Sequence, residues 1–581
     1  MNRSLTWSAK LSRFRNRLEA RRAAFARPAG GFVSQPEPRT IGTFARGRQI
    51  CAGNFLFAGY LVEGGNLSIW DLPMPDKTFE EELHGFTWLD DLAAVGDGPA
   101  RERAQRWMNE WVERYGRGKG PGWTPDLTGR RLIRWINHAL FLLNGQERSR
   151  SEAYFRSLAQ QTIYLSRCWR SASSGLPRFE ALTGLIYAGL ALEGMNKHVK
   201  PATAALARDC AAEIDAEGGI PTRNPEELLE VFTLLTWAAS ALGEAGKMPA
   251  KEHMAAIERI APTLRALRHS DGALARFHGG GRGLEGRLDH ALAASGVRAK
   301  ASGTLSMGYA RLSAGRTSVI VDASAPPKGR ASFNGHASTF AFELTSGRRP
   351  LIVNCGSGVN FGTAWRRAGR ATPSHSTLGI DGYSSARLGA TVLVGGCERE
   401  LLSDPPRVAW ANQTVGFSGA SLQGGHNGYV RTHGLTHVRK LDLSADGRAL
   451  MGEDTLAIAE DRDSAQFDRM MDRVQLQGIA YTVRFHLHPD VDAEIDMGGS
   501  AVSMALKSGE IWVFRHDGAG ELTLEPSVYL EKNRIKPRAT KQVVLSARVM
   551  EYASRVSWSL AKAQDTPTAL RDLVEDEVLI L

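Results

Sequence analysis

Two histidines and an asparagine lie near the ends of predicted strands, where side chains from different parts of a sheet can meet. The stretch 333-FNGHASTFAFELTSGRRPLIVNCG-356 predicts a β-hairpin, with His336 before its first strand and Asn354 after its second. His375 follows in an HSTL segment. Side chains of these types in these places could be parts of one site. The alternative is that both histidines are buried and satisfied by backbone groups.

A cluster of arginines precedes His375 and could hold a carboxylate or sulfate group. Arg366, Arg367 and Arg370 carry the planar guanidinium that binds such groups through two parallel hydrogen bonds. The alternative is that they form a solvated face. Asn334, two residues before His336, is a candidate for the same binding surface.

Further candidates for proton transfer and substrate binding lie in the first half of the chain. Arg178 could clamp a carboxylate and Glu180 could act as a base, or either could form a helix cap or an ion pair. Arg223 and Glu227 flank an Asn-Pro-Glu sequence that predicts a helix start, and they are candidates for substrate binding and for the base.

His84 and Trp88 are spaced to share one face of a predicted helix. A histidine and an aromatic ring on an accessible face could bind a sugar. The alternative, with equal weight, is that the pair belongs to a helical core.

Composition limits the classes of protein and of partner. The chain has 581 residues, of which 43% are hydrophobic and 23% charged, so two or three globular domains are expected. Its net charge of +10 suits an anionic partner such as an acidic polysaccharide. No nucleic-acid-binding module accompanies that charge, so no nucleic-acid partner is expected. The five scattered cysteines predict neither a disulfide framework nor a metal knuckle, and a reducing compartment fits them best.

The first residues predict a basic amphipathic helix. Trp7, Leu11, Phe14, Leu18 and Phe25 fall on one helical face, and arginines and a lysine occupy the rest. Such a helix could make peripheral contact with a membrane surface, or it could dock on its own protein, which is the commoner outcome. The segment has no secretory signal, so a cytoplasmic location is expected.

The hydrophobic period changes near residue 300. Apolar residues recur at helical spacing before it, and short β-rich runs separated by Gly, Asp and Asn follow it, among them 435-LTHVRKLDL and 542-QVVLSARVMEYASRVSWSL. We therefore predict an α+β multidomain chain. Its expected parts are a basic helix and connecting segment (1–75), an all-helical domain (76–300) and a large antiparallel β-sandwich (301–581).

The order of these domains and several motifs resemble the heparinase II/III family of polysaccharide lyases. The most specific region is 336–381, where a histidine precedes a strand, a VNCG segment follows and the HSTL segment carries a second histidine. The other motifs that carry the resemblance are 84-HGFTWLDDL, 128-TGRRLIRWINH, 215-DAEGGIPTRNPEELLEVF, 425-GHNGYVRTHGLTHVRKL and 484-RFHLHP. The resemblance implies an incomplete α/α toroid followed by a β-sandwich, with the active site in the cleft between them.

The resemblance also implies β-elimination on a uronic-acid-containing glycan. That chemistry needs a group that neutralises the uronate, a base near the α-carbon and a proton donor for the leaving oxygen. In the family these are typically an Asn and a Tyr from the helical domain and a His at the sandwich edge. Here no Asn occurs in 173-SSGLPRFEALTGL, Glu227 replaces the Tyr and Asn334 replaces the first His. The resemblance also implies a divalent metal, zinc or calcium, whose ligands would be His336, Asn354 and His375. Asn354 stands in place of an Asp and supplies no charge, so the expected affinity is lower.

Two functions remain open at this stage. The first is a lyase that uses Arg178 or Arg366 to neutralise the uronate and Glu227, Glu180 or His336 as the base, with an expected Arg178–Glu227 pair across the cleft. The second is a catalytically altered or inactive member that binds glycan or regulates another process. A periplasmic location is the alternative that the resemblance implies.

Overall fold

A computed structural model describes residues 7–25, 29–34, 38–300, 305–394, 397–532, 534–564 and 572. Up to Ser295 the described chain is helical apart from one hairpin, β1 (Asn54–Phe57) and β2 (Tyr60–Glu63). The helices of this part are α1 (Trp7–Ala23), α2 (Phe44–Cys51), α3 (Lys77–Gly85), α4 (Trp88–Val95), α5 (Gly98–Tyr115), α6 (Pro125–Asn137), α7 (Ala139–Leu143), α8 (Arg148–Cys168), α9 (Leu176–Ala191), α10 (Val199–Glu213), α11 (Pro225–Glu244), α12 (Lys251–Ala266) and α13 (Arg287–Ser295).

From Leu305 onward the described chain is mainly antiparallel strands. They are β3 (Leu305–Ser306), β4 (Tyr309–Ala314), β5 (Thr317–Asp322), β6 (Phe342–Ser346), β7 (Arg349–Val353), β8 (Leu378–Ile380), β9 (Arg387–Val394), β10 (Cys397–Ser403), β11 (Val408–Gly416), β12 (Gly419–Tyr429), β13 (Leu435–Ser444), β14 (Ala449–Ala457), β15 (Ile479–Leu487), β16 (Val491–Asp496), β17 (Ala501–Leu506), β18 (Ile511–His516), β19 (Glu521–Tyr529), β20 (Arg538–Val549) and β21 (Ala553–Lys562). Three short helices interrupt them: α14 (Thr363–Ala368), α15 (Val430–His433) and α16 (Ser464–Arg473).

Two large sheets form the sandwich. One has the strand order β11-β12-β13-β14-β21-β18-β17-β16, and the other has the order β19-β20-β15-β7-β6-β5-β4-β3, with β8 paired to β15. Along strand β13 the side chains alternate between buried and partly exposed. Successive side chains of a strand point to opposite faces, so one face of this sheet is buried against the other sheet. Apolar residues from both sheets form one continuous core between them.

Aromatic side chains fill the centre of the helical domain. Trp88, Trp107, Trp111 and Trp135 are buried and contact one another or Phe86 through tilted and edge-on ring pairs. Elsewhere in this domain α6 and α9 approach closely, because a Cβ on Gly184 would lie 2.5 Å from the Cα of Gly129. A Cβ on Gly129 would likewise meet the backbone of Glu180, so this close packing places the candidate residue Glu180 against α6.

The predicted fold class and the order of its parts are confirmed. Helix gives way to strand between Ser295 and Leu305, and the 333–356 stretch forms the hairpin of β6 and β7. Two details differ. The β1–β2 hairpin lies in what was expected to be a connecting segment, and the single run predicted from residue 542 is two strands, β20 and β21.

Candidate functional site

His336 and His375 lie side by side under the surface of the sandwich. Each follows a short 3-10 turn, Gly329–Asn334 and Thr372–Ser374, and both side chains are buried. The His336 Nδ1 and the His375 Nε2 are 3.0 Å apart. Because the His375 Nδ1 contacts the carbonyl of Ala371 at 2.8 Å and must donate to it, His375 Nε2 is the acceptor and His336 Nδ1 the donor. The two rings form a neutral, hydrogen-bonded pair in which the His336 Nε2 is the unprotonated nitrogen.

Burial is the main reason that both rings stay neutral. It lowers the pKa of His375 to about 4 and holds the pKa of His336 well below its usual range. The adjacent imidazole and Arg370 lower the pKa of His336 further.

A third histidine, His278, joins this pair and was not predicted. Its Nδ1 accepts a hydrogen bond from the backbone N–H of His336 at 3.1 Å, and its Nε2 lies 3.3 Å from the Asp322 carboxylate. Asp322 also accepts from Arg223 at 2.6 Å and from Ser338 at 2.7 Å. Burial raises the pKa of Asp322, but Arg223 and His278 outweigh it and keep the carboxylate ionised. An aspartate in the otherwise apolar run of β5 was the available sequence signal.

Asn354 does not complete a metal site with the two histidines. Its Oδ1 accepts from the backbone N–H of Ser376 at 3.0 Å, and its Nδ2 points to Glu343 at 3.4 Å. Among the described residues no group of three or more His, Cys, Asp or Glu side chains is arranged to hold a metal ion. Since His336 and His375 bond to each other and an amide replaces the carboxylate, the residues present do not fit the zinc or calcium that the family resemblance implies.

Several arginines expected to bind substrate are held by protein atoms instead. Arg370 is buried and donates to the carbonyls of Ser332, Gly335 and Glu400. Arg223 is also buried. Both guanidinium groups are buried and donate to protein atoms, so their contact with a substrate stays a prediction that the structure does not favour.

Arg223 joins the helical domain to the sandwich. Its guanidinium donates to the carbonyls of Met307, Gly308 and Ala325 as well as to Asp322. The hydroxyl of Tyr309 donates to the Arg223 carbonyl at 2.6 Å, and the guanidinium lies over the Tyr309 ring. A positive φ of 50° at Arg223 sets this geometry.

Arg366, Arg367 and Asn334 remain near the surface. Arg366 is half-buried and donates to the carbonyl of Phe333 and to the Asn334 side chain at 3.0 Å. Arg367 is exposed and pairs with Glu400 at 3.4 Å. Of the predicted carboxylate-binding arginines, Arg366 is the one that the structure places beside Asn334.

The Gly-rich loop after His278 fits tightly between the two domains. A Cβ on Gly279 would lie 2.9 Å from the Asn334 Cβ, and a Cβ on Gly280 would lie 2.6 Å from the Asn224 Oδ1. The loop therefore brings the start of α11 close to Asn334, which defines the cleft between toroid and sandwich.

Glu227 lies in the first turn of α11, at that cleft. The Asn224 side chain caps the helix by accepting from the backbone N–H groups of Glu226 and Glu227, as the Asn-Pro-Glu-Glu sequence predicts. Burial raises the pKa of Glu227 to about 7, against weaker opposing effects of Thr222 and Lys532. A carboxyl that titrates near neutrality is suited to proton transfer.

The other two candidates in the helical domain have different partners. Glu180 is buried and forms two hydrogen bonds with Arg130, at 2.6 and 3.0 Å. Arg178 donates to the carbonyl of Ala172 and lies 3.6 Å from Asp209. The expected Arg178–Glu227 pair is therefore wrong, because Arg178 points to α10 instead.

His84 and Trp88 belong to the core, and the expectation that they bind sugar is wrong. The chain takes a left-handed conformation at Phe86, so α3 ends before α4 begins and the two residues are not on one helix. Trp88 is fully buried and donates to the carbonyl of Leu83. His84 accepts from the Trp111 indole at 3.0 Å, and burial lowers its pKa to about 3.

Glu227→Gln is expected to stabilise the protein at alkaline pH. The pKa of this carboxyl rises from 4.5 to about 7 on folding, so its contribution to stability is present below pH 4.5 and is lost as the pH rises through 7. The neutral amide avoids that loss, which is at most about 3 kcal/mol. Urea unfolding at pH 5 and pH 8.5 measures it.

The neighbouring carboxylate provides the control for that measurement. Lys532 and the Gly281 N–H lower the pKa of Glu226 despite its burial, so Glu226→Gln should destabilise the protein at neutral pH. Equal stability of wild type and Glu227→Gln at pH 8.5 would contradict the buried, neutral state of Glu227.

Comparisons with known proteins agree with this architecture. The family model of the heparinase II/III-like C-terminal domain matches residues 297–559. FtsZ-localized protein C of Caulobacter vibrioides (strain NA1000 / CB15N) is 31% identical over 557 residues, which cover 93% of this chain and 92% of that protein. A solved structure of heparinase III has a TM-score of 0.66 at 13% identity, with 96% of this chain and 91% of that chain covered.

A mutant of the heparan sulfate lyase HepC from Pedobacter heparinus has a TM-score of 0.57 at 15% identity, with 95% and 88% of the two chains covered. The likenesses to solved structures show a shared fold of toroid and sandwich. The family model and the relative that matches almost end to end show common descent. This chain belongs to the heparinase II/III-like family.

Proposed function

We propose that this chain is a binding or regulatory protein of the cell-division apparatus that has the heparinase-like fold without the family's usual elimination chemistry. The buried histidine pair carries the proposal. His336 is buried, and its Nδ1 donates to His375 at 3.0 Å. Burial, His375, His278 and Arg370 hold the pKa of His336 well below its usual range, so its remaining nitrogen is a weak base for removing a proton from a glycan.

The electrostatics of the cleft support the same proposal. Elimination needs a cation that neutralises the uronate, but Arg178 points to Asp209, and Arg223 and Arg370 donate to backbone carbonyls or to Asp322. Carboxyl groups of Glu180 and Glu213 also act on Glu227 and raise its pKa. These carboxyl groups make the toroid side of the cleft less favourable for an acidic glycan.

The relative provides the cellular setting. FtsZ-localized protein C matches this chain over nearly the whole length of both proteins, including the toroid. We infer that this chain also associates with FtsZ-containing structures and therefore works in the cytoplasm. Among the described residues, no helix combines the length and apolar character needed to cross a bilayer.

Co-sedimentation with FtsZ polymers tests this proposal. Purified chain is expected to pellet with FtsZ assembled in GTP and to stay in the supernatant when FtsZ is kept unassembled in GDP. In parallel, ultraviolet absorbance should reveal no unsaturated uronate from heparin, heparan sulfate, hyaluronan or alginate. Failure to pellet with FtsZ, together with turnover of one of these glycans, would replace the proposal with the second candidate.

The second candidate is a lyase that acts on an acidic glycan in the cleft by β-elimination. One observation favours it, namely the pKa of Glu227 of about 7 in the first turn of α11, whose start lies across the Gly279–Gly280 loop from Asn334. Glu227 would remove the proton and Arg366 would neutralise the uronate. If turnover is found, Glu227→Gln should lower its rate by roughly a hundredfold, and Glu226→Gln should leave most of it.

A further inference from the structure

A cavity in the sandwich collects positive charge. Its volume is about 500 Å³, which is within the range of small-molecule sites. Four cationic side chains line it, Lys328, Arg387, Arg407 and Arg431, and they face one carboxylate, Asp404. These residues come from separate parts of the chain, so the fold, rather than a run of basic sequence, assembles the charge.

Most of that charge has no protein counter-ion. Arg431 pairs with Asp404 at 2.7 Å. Among the described residues, none forms a hydrogen bond or an ion pair with the side chains of Lys328, Arg387 or Arg407. Like charges that converge on one cavity repel each other, and a bound anion removes this cost. The positive charge also acts on a neighbouring histidine. Burial lowers the pKa of His433 to about 4, and the Arg387 guanidinium contributes to that decrease.

Hydrogen bonds hold the rim of the cavity in place. The backbone N–H of Arg407 donates to the Asn427 side chain at 2.7 Å, and the Asn427 N–H donates back to the Arg407 carbonyl. On the opposite side, the backbone N–H of Ser385 donates to Thr372 at 3.0 Å, and the Thr372 N–H donates to Ser384 at 3.1 Å. The cations therefore project from fixed backbone, which lowers the entropic cost of binding.

The lining also limits the kind of ligand. Two guanidinium groups without partners suit the bidentate recognition of a phosphate-type oxyanion. Ser385, Asn427 and Thr432 can bind hydroxyl groups next to it. Within the described part of the chain the lining includes no aromatic ring on which a nucleobase could stack. We propose that this cavity is a binding site for a phosphate-type dianion attached to a hydroxylated group, either a soluble sugar phosphate or a phospholipid headgroup.

Calorimetric titration with pyrophosphate and with glucose 6-phosphate tests the site in the full-length protein. Wild type should bind at least one of these probes saturably, with an affinity that falls as salt is added. Arg387→Ala together with Arg407→Ala should weaken binding by about tenfold for each guanidinium removed. The matched control is Arg117→Ala with Lys119→Ala, which removes the same charge from exposed positions on the toroid and should bind as wild type does.

Sedimentation with vesicles distinguishes the two sources of the ligand. The probes are phosphatidylinositol phosphate vesicles and phosphatidylcholine vesicles. Specific loss of binding to the former in the Arg387/Arg407 variant assigns a headgroup, and loss of binding to the soluble probes alone assigns a free phosphate. The proposal is overturned if wild type binds none of the probes, or if the control variant loses as much affinity as the cavity variant. None of these outcomes depends on FtsZ or on lyase activity.

Discussion

Replacement of Asp454 by alanine is expected to lower the free energy of unfolding by about 3–5 kcal/mol. Asp454 is fully buried on β14 and accepts two hydrogen bonds from Arg439, at 2.7 and 2.9 Å. It also accepts from His437 at 2.8 Å and from the Trp558 indole at 3.0 Å. Its removal leaves a guanidinium charge without a partner in the core, and that is the state with the highest cost.

The adjacent residue on the same strand is the matched control. Glu453 points to the other face of the sheet and lies 3.6 Å from Arg555, where both side chains are exposed. Glu453→Ala should therefore cost no more than about 1 kcal/mol. Guanidinium unfolding followed by tryptophan fluorescence measures both variants. If the two variants lost the same stability, the buried network would not have the role assigned to it.

Arg439 also connects this network to the candidate site. Its Nη1 donates to the carbonyls of Phe340 and Ser376, which belong to segments next to His336 and His375. The ion pair in one sheet thus fixes the backbone that carries the histidines of the other. Removal of both partners, in Arg439→Met with Asp454→Ala, should restore part of the lost stability, because no buried charge is then left alone.

The sequence predicted those parts of the fold in which local pattern and tertiary burial agree. The alternation in 435-LTHVRKLDL is confirmed as β13, and the Asn-Pro-Glu-Glu start is confirmed at α11. The run from residue 542 was predicted as one strand because neither Gly nor Pro occurs at the turn between Val549 and Ala553. The missing turn residue explains this error, but it does not explain the β1–β2 hairpin, which was not predicted although its turn contains Gly59.

The candidate site was predictable only in part, and the reason is geometric. The family motifs indicated that His336 and His375 are close, and the structure brings them together. Their partners could not be deduced, because His278 and Asp322 reach the pair from distant segments that only the packing of the two domains brings near. His84 and Trp88 were misassigned because helical spacing assumes one continuous helix, whereas Phe86 breaks it.

The second large effect is expected at the N-terminal helix. The sequence favoured an apolar stripe on α1 that docks on the protein itself. In the structure Leu11, Phe14 and Leu18 are instead 48%, 64% and 38% exposed, while the helix is held by Ala20, which packs against α8. The side chain of Trp7 lies outside the part of the chain that the structure describes. An exposed apolar stripe beside arginines fits an anionic membrane surface, and we propose that α1 binds there.

Phe14→Glu together with Leu18→Glu is expected to abolish binding to anionic vesicles. Each side chain contributes about 1.5–3 kcal/mol when it leaves water, so their joint loss should weaken binding by at least about a hundredfold. Sedimentation with phosphatidylglycerol vesicles measures it. The control is Met248→Glu, which places one of the two added charges at an apolar residue that is 91% exposed on the toroid, far along the chain from α1.

The charge of the lipid separates this contact from a general attraction to anions. Exposed Arg15, Arg17, Arg21 and Arg22 should contribute about 1 kcal/mol each near a negative surface, so binding should fall with salt. The apolar part should not fall with salt, because burial of Phe14 and Leu18 in the interface is not a Coulombic effect. If Phe14→Glu with Leu18→Glu bound vesicles as tightly as Met248→Glu at both low and high salt, α1 would not be the membrane-binding element. The exposed stripe would then be left to a protein partner.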